Sequence, residues 1–187
     1  MTITALDPNP ALVVIDLQAG TAGNPQNPTA HPIDGVVAAA ANLATAFRER
    51  GLPVVLANVD GMPGGRTQYG EGARAFPAEF SALLPSLAQQ PSDLIVTRST
   101  WSAFAGTDLD ATLRRLCVTQ VVLAGMATSF GVESTARQAY DLGYSVVFAL
   151  DAITDRVIES HDGSVQRAFL ALGQAATAAD VVALLPA

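Results

Sequence analysis

Two charged residues stand where a buried strand of this sequence ends. Asp16 closes the apolar run ALVVID and Arg98 closes LIVTR. A carboxylate there loses hydration and costs stability unless it is paired, and perturbed groups of this kind cluster at functional sites. Arg98 could hold Asp16 ionised, or it could bind an anionic group of a substrate. The structural alternatives are a turn or N-cap aspartate and an arginine in a surface ion pair.

A third candidate is the segment AGMATSFGVESTAR, residues 124–137, which joins a strand to a helix. The first amides of a helix point at whatever binds there, so such a corner is a natural seat for a nucleophile. The corner offers only Ser129 and Gly131, and no histidine adjoins Ser129 to act as its base. We therefore do not expect a covalent acyl-enzyme route.

The other reactive side chains are isolated. Trp101 and Phe104, in WSAF, could line an apolar pocket or belong to the core, and the core is favoured for Phe104. Cys117 falls on the last turn of a predicted helix, where we expect a buried, inert thiol. His31 and His161 have no partner at ligand spacing, so we expect surface or capping roles and no metal site.

The glycine-rich segment DGMPGGRTQYGEG, residues 60–72, is not a phosphate-binding loop. It lacks the GK[ST] ending and does not run directly into a helix. We expect a mobile loop over the site, with Arg66 as a candidate substrate contact.

The elements that must position these residues alternate along the chain. Continuous apolar runs typical of strands buried on both faces lie at 11–16, 53–59, 93–97, 120–125 and 144–150. Helical patterns lie at 33–51, 107–117, 129–143 and 160–173, with glycine at C-terminal caps (Gly51, Gly143, Gly173) and Thr107 as an N-cap. A short last strand near QAAT and a helix in AADVVALL complete the pattern. Such alternation predicts a parallel sheet covered by helices on both faces.

Ligands of an open parallel sheet bind outside the carboxyl ends of its strands, near the point where strand order reverses. Asp16 and Gln18 follow the first predicted strand, Asp60 the second and Arg98 the third, and residues 125–131 follow the fourth. These residues are distant in sequence, but the rule places them at one edge of the sheet.

Composition narrows the function classes. The net charge of -7 disfavours nucleic acid and anionic membranes as partners. All ten basic residues are arginine, which excludes any mechanism that needs a lysine. One cysteine permits no internal disulfide, and neither a signal peptide nor a membrane-spanning run is visible, so we expect a cytoplasmic protein. The 187 residues are the size of a single domain, 1–187. We expect no cofactor.

Four segments resemble the isochorismatase-like hydrolase superfamily, in order and over nearly the whole chain. They are VVIDLQ (13–18), VTRSTWSAFAGTDLDATLRRL (96–116), VVLAGMATSFGVESTARQAYDLGYSVVFALDAITD (121–155) and SH (160–161). The resemblance implies an α/β fold, a three-layer α/β/α Rossmann-like sandwich with a six-stranded, mostly parallel sheet. It also implies a homo-oligomer, a dimer or higher.

Most members of that superfamily are cysteine hydrolases with an Asp, Lys, Cys triad. By resemblance Asp16 matches the aspartate, Arg98 stands in the place of the lysine and Gly131 in that of the cysteine. A family cis peptide would join Met126 and Ala127 and orient backbone amides towards the substrate. The true isochorismatases resemble this chain in having glycine at the cysteine position, and they cleave a vinyl ether with the aspartate as acid. They keep the lysine, however, and their corner motif differs.

The leading hypothesis is a hydrolase of a small anionic metabolite with an Asp-dependent, non-covalent mechanism. Asp16, Arg98 and the Gly131 position would be catalytic. Substrate would be bound by Gln18, Trp101, Phe104, Met126, Ala127, Thr128, Ser129 and Phe130. The alternative is a non-catalytic small-molecule-binding protein on the same fold. A third hypothesis, a cysteine amidase using Cys117, requires that helix end to fold against Asp16.

Overall fold

The computed structural model describes residues 3–68 and 70–186. In that part of the chain the strands are β1 (Pro10–Ile15), β2 (Val54–Val59), β3 (Gly61–Met62), β4 (Arg66–Thr67), β5 (Gly70–Glu71), β6 (Arg74–Ala75), β7 (Leu94–Arg98), β8 (Gln120–Gly125), β9 (Ser145–Ile153) and β10 (Gln174–Ala176). The α-helices are α1 (Ala19–Ala22), α2 (Ile33–Glu49), α3 (Ala78–Ser81), α4 (Leu109–Arg115), α5 (Glu133–Asp141), α6 (Ile158–Gly163), α7 (Phe169–Leu172) and α8 (Ala178–Leu184). A 3-10 turn at Pro85–Leu87 and π-helical turns at Thr128–Val132 and Ser164–Ala168 complete them. None of the described helices is long and apolar enough to cross a membrane.

The core of the fold is a six-stranded sheet with the spatial order β10, β9, β8, β1, β2, β7. All neighbouring strands in it are parallel. The chain begins at the centre, moves outwards through β2 to β7, and returns to β8 beside β1 before moving outwards on the other side. Strand order therefore reverses between β1 and β8, and a crevice is expected beyond their carboxyl ends. The predicted three-layer α/β/α architecture is confirmed.

Strand β1 shows why the central runs are continuously apolar. Every one of its residues is buried, because successive side chains point to opposite faces and both faces are covered. Leu12 and Val14 belong to the core under α2, whose fully buried Phe47 packs there. Val13 and Ile15 belong to the opposite core, under α4 and α5.

Two predicted glycine caps lie at helix C-termini in the structure, but one predicted helix N-cap is wrong. Gly51 and Gly143 end their helices with φ of 66° and 87°, a left-handed conformation that suits glycine. Thr107 is not the N-cap of α4, because that helix begins at Leu109 and Asp108 takes the cap position. The Thr107 hydroxyl instead donates to the carbonyl of Ala103 at 2.6 Å.

The glycine-rich segment forms an antiparallel arm. Strand β3 pairs with β6, and β4 pairs with β5 further out. Only the base of this arm, at Gly61, Met62 and the following Phe76, reaches the cavity described below. Arg66 is exposed and does not line that cavity, which corrects the expectation that it contacts substrate. Tyr69 lies outside the described residues.

Candidate active site

Asp16 and Arg98 form a buried ion pair at the carboxyl edge of the sheet. Arg98 Nη1 donates to Asp16 Oδ1 at 2.5 Å, and Nη2 donates to Oδ2 at 3.0 Å. The side chains are 1% exposed for Arg98 and 10% exposed for Asp16. Because β2 lies between β1 and β7, the long arginine side chain spans that strand to reach the aspartate. A two-point contact of this kind fixes the carboxylate in one orientation.

The backbone of Asp16 turns the chain out of the sheet. Its φ is 50°, a left-handed conformation that aspartate tolerates better than most residues. Its amide still donates to the carbonyl of Ala57 at 2.9 Å, and its carbonyl accepts a hydrogen bond from the hydroxyl of Thr21. The turn therefore holds the carboxyl group at the crevice between β1 and β8.

Burial raises the pKa of Asp16 above its ordinary value of 3.8, and the hydrogen bond and charge of Arg98 oppose that rise. Desolvation is the larger influence, because the carboxyl group has lost nearly all contact with water. A carboxyl group whose pKa is raised can both give and take a proton nearer to neutral pH than an exposed aspartate can.

Gly131 faces this pair directly. A Cβ placed on Gly131 would lie 2.8 Å from Ile15 Cγ2, 3.1 Å from Asp16 Oδ2 and 3.6 Å from Arg98 Nη2. The first two distances are shorter than an ordinary van der Waals contact, so a side chain here would require a shift. The position beside the carboxylate thus carries no nucleophilic side chain.

The corner after β8 contains the cis peptide bond that the resemblance implies, between Met126 and Ala127. Most of its amides are already used within the protein, because those of Met126, Thr128 and Ser129 donate to Ile15 O, Thr154 O and Asp155 Oδ2 at 2.9, 3.0 and 2.8 Å. The N–H of Ala127 has no hydrogen-bond partner among the described residues, and Ala127 lines the cavity. Of the amides of Met126, Ala127, Thr128 and Ser129, only that of Ala127 is therefore left to donate to a ligand.

A cavity of about 350 Å³ opens over Asp16 and Gly131, at the lower end of the range for small-molecule sites. Its mouth is flanked by Trp101 and Phe130, both about half exposed, whose rings meet edge to face at 5.0 Å. The cavity is lined by Asp16, Gly20, Thr21, Val59, Gly61, Met62, Phe76, Phe80, Thr100, Trp101, Met126, Ala127, Phe130, Gly131 and Arg156. Most of this wall is apolar, which suits a ligand with an apolar body.

Of the residues singled out in the sequence, the structure brings six to this cavity: Asp16, Trp101, Met126, Ala127, Phe130 and Gly131. Arg98 lies behind Asp16 and does not line the cavity. Its Nη2 also donates to the carbonyl of Trp101 at 3.0 Å, while its Nε has no partner in the described structure. Arg98 therefore contacts the carboxylate and does not face the ligand space.

Gln18 does not reach the cavity, which corrects the prediction that it binds substrate. Its Nε2 donates to the carbonyls of Val59 and Phe80 at 2.9 and 3.0 Å, and its Oε1 accepts from the amide of Val59 at 2.7 Å. The side chain is fully buried. Gln18 thus ties the end of β1 to the ends of β2 and α3.

Three further predicted contacts are also absent from the cavity wall. Phe104 is buried in the core, stacked on Tyr144 at 5.7 Å. Thr128 is fully buried and its hydroxyl lies 2.8 Å from His161 Nδ1. The Ser129 hydroxyl donates to Asp155 Oδ2 at 2.8 Å. None of these three side chains lines the cavity.

His161 and the cysteine differ from expectation. His161 is buried, and its ring meets that of His31 at 4.8 Å, so it is not a surface residue. Burial, and secondly the proximity of His31, lower the pKa of His161 below its ordinary value of 6.5. Cys117 is exposed, whereas a buried thiol was expected. It precedes β8, at the opposite end of the sheet from Asp16. In the described regions, no cluster of three or more His, Cys, Asp or Glu could hold a metal ion.

Sequence reasoning missed Arg156, which lines the cavity and donates from Nη2 to the carbonyl of Thr21 at 3.2 Å. The signal was available, because Arg156 follows the carboxyl end of β9 just as Arg98 ends β7. The strand was predicted to end at residue 150, whereas it continues to Ile153. The prediction from strand ends covered only the first four strands, so it did not include Arg156.

Comparison with known proteins decides the family. Residues 10–180 match the model of the isochorismatase domain. The chain belongs to the isochorismatase family. It is 37% identical over 177 residues, 89% of each chain, to the isochorismatase family protein YwoC of Bacillus subtilis (strain 168). An isochorismatase family structure from Burkholderia thailandensis has a TM-score of 0.90 and 43% identity, covering 98% of this chain and 99% of that one.

One matched relative of this hydrolase carries a specific activity in its name. The ureidoacrylate amidohydrolase RutB of Variovorax paradoxus (strain S110) is 32% identical over 169 residues, which are 76% of this chain and 67% of that protein. The protein is accordingly a hydrolase of the isochorismatase-like superfamily.

Proposed function

We propose that this isochorismatase-family hydrolase cleaves a small anionic metabolite by an Asp16-dependent route without a covalent enzyme intermediate. One observation carries the proposal: the position beside the carboxylate holds only Gly131, while the acid itself is retained, buried and paired. Both Asp16 and Gly131 line the cavity, so a substrate or a water molecule can approach the carboxylate there. The chemistry then depends on proton transfer and orientation, not on a side-chain nucleophile.

Asp16 is the group that moves the proton. It gives a proton to the substrate at the bond that breaks, and it regains one from the water that adds. The enzyme is thus unchanged after each turnover. The raised pKa favours both steps near neutral pH, and positioned proton transfer contributes about 10²- to 10⁴-fold in rate.

Arg98 and Ala127 support that transfer in different ways. Arg98 cannot shuttle protons, because an arginine side chain stays charged, but its two hydrogen bonds keep Asp16 aimed at the cavity. The unpartnered N–H of Ala127 can polarise the reacting oxygen of the substrate, as amide donors do at sites of developing negative charge.

One observation favours a second candidate, a small-molecule-binding protein without catalysis. Both carboxylate oxygens of Asp16 accept hydrogen bonds from Arg98, so the pair could serve structure alone. A cavity with an apolar wall would then retain a ligand without turning it over.

Mass spectrometry separates the two candidates. Wild-type protein, Asp16→Asn and the control Cys117→Ser would be incubated with small amides, vinyl ethers and chorismate-derived acids, and products and retained ligands would be measured. The proposal predicts turnover by wild type and Cys117→Ser that is lost in folded Asp16→Asn. Retention of one compound by all three proteins without any product would favour the binding protein. Circular dichroism establishes that each variant is folded.

A further inference from the structure

The charged side chains of Asp16 and Arg156 line the cavity, and they differ in whether a neighbouring charge neutralises them. When Asp16 is ionised, Arg98 neutralises it, so that pair presents no net charge to a ligand. Among the described residues that line the cavity, Arg156 is the only one with a cationic side chain. A ligand entering the cavity therefore meets one uncompensated positive charge.

Arg156 is held in place without being neutralised. One hydrogen bond, from Nη2 to the carbonyl of Thr21 at 3.2 Å, fixes one edge of the guanidinium group. No carboxylate in the described part of the chain lies within ion-pairing distance of it, whereas Arg48, Arg98, Arg114 and Arg137 all have such a partner.

The adjacent Asp155 does not cancel this charge by direct contact. Its Oδ2 accepts from both the amide and the hydroxyl of Ser129 at 2.8 Å, and its Oδ1 accepts from the amide of Val157 at 3.2 Å. Asp155 is buried and does not line the cavity. Its carboxylate thus faces the corner, while the neighbouring guanidinium group faces the ligand space.

The rest of the wall defines the body of the ligand. Phe76 and Phe80 contact each other at 4.4 Å between ring centroids, and Trp101 with Phe130 forms a second aromatic pair. Aromatic faces favour flat, unsaturated or aromatic groups between them. A volume of about 350 Å³ admits only a small molecule.

We propose that Arg156 is the carboxylate anchor of this site, and that the ligand is a small carboxylic acid with a flat, unsaturated or aromatic body. The guanidinium fork binds the carboxylate, the aromatic pairs hold the body, and the group to be cleaved lies towards Asp16 and Gly131. The last of these statements rests on the proposed function. The anchor itself requires only binding, and it gives this site a specificity residue beyond those singled out in the sequence.

Matched probes test the anchor without any turnover. Benzoate and phenylacetate would be compared with their primary amides by isothermal titration, using wild type, Arg156→Gln and Arg156→Lys. Arg167→Gln is the matched control, since Arg167 is exposed and lies in another groove. Wild type is expected to bind the acids about 10- to 100-fold more tightly than the amides, as hydrogen bonds to a charged group imply. Arg156→Gln should abolish that preference, Arg156→Lys should keep part of it, and Arg167→Gln should not change it.

Two results would overturn the anchor: no preference for the acids in wild type, or the full preference in Arg156→Gln. For a substrate that is turned over, Arg156→Gln should raise KM for acids and leave kcat nearly unchanged. Failure of the proposed function has a different signature. Asp16→Asn would then hydrolyse substrates as wild type does, while the acid preference and its dependence on Arg156 remained intact.

Discussion

Replacing Arg98 by methionine tests whether the Asp16 pair is a desolvated ion pair on which the site depends. The two side chains are 1% and 10% exposed, and two hydrogen bonds of 2.5 and 3.0 Å join them. Removing one member leaves a buried charge without compensation, which costs about 3–5 kcal/mol in the free energy of unfolding. Methionine retains most of the arginine stem, so lost packing adds little to this cost.

The loss of stability in Arg98→Met should depend on pH, and the burial of Asp16 determines the direction of that dependence. In Arg98→Met the influences that lower the pKa of Asp16 disappear while desolvation stays, so its pKa rises further above 3.8. The folded protein then binds a proton more tightly than the unfolded chain does. Its free energy of unfolding consequently falls as pH rises from the unfolded to the folded pKa, by about 1.4 kcal/mol per pH unit. The variant should be nearly as stable as wild type near pH 4 and much less stable at neutral pH.

Urea denaturation followed by circular dichroism between about pH 4 and pH 8 measures this. Wild type, Arg98→Met, Asp16→Asn and the double variant Asp16→Asn with Arg98→Met form a double-mutant cycle. The double variant should lose less stability than the sum of the two single changes, by at least about 2 kcal/mol, because it leaves no unpaired charge. A cost below about 1 kcal/mol at neutral pH, or strict additivity, would refute the reasoning.

Two more predictions concern position 131 and the pair of His31 with His161. Gly131→Cys should not create thiol-dependent hydrolysis, because its Cβ would lie 2.8 Å from Ile15 Cγ2 and the adjacent cation is an arginine that cannot carry protons. Turnover that appears in this variant and is blocked by iodoacetamide would contradict that account. The lowered pKa of His161 means that the unfolded chain binds its proton more tightly, so stability is full above pH 6.5 and falls as pH decreases through the pKa of the folded state. His31, Asp155 and Asp162 are the titratable groups that act on this histidine, and thermal unfolding of His161→Asn should show a flatter pH dependence between about pH 4 and pH 7 than wild type.

Much of the sheet could be predicted because its strands are buried on both faces. A strand such as β8 has no polar side to break its apolar run, except that Gln120 at its start binds the amide of Asp7. The end of β9 was missed because Asp151 interrupts the run, although this residue continues the strand. Its carboxylate accepts a hydrogen bond from the amide of Ala178 at 2.7 Å, and this contact holds the start of α8 against β9. Such a long-range role leaves no trace in the local pattern.

The location of the site could be predicted from the sequence, but the directions of its side chains could not. Asp16, Ala127 and Gly131 were found because the ends of parallel strands share an edge. Thr128 and Ser129 stand in the same segment, yet their side chains turn to His161 and Asp155. Those partners come from later parts of the chain, so neither composition nor spacing within the corner could show where its side chains point.

Hydrolysis in water enriched in heavy oxygen, under single-turnover conditions, is the most direct test of the mechanism. Mass spectrometry of both product and intact protein would follow the substrate that the compound panel identifies. Direct attack by water predicts that the first-turnover product carries heavy oxygen, that no adduct forms on the protein, and that Asp16 remains unlabelled. An adduct on the protein, or first-turnover product with ordinary oxygen and label on Asp16, would contradict the non-covalent route.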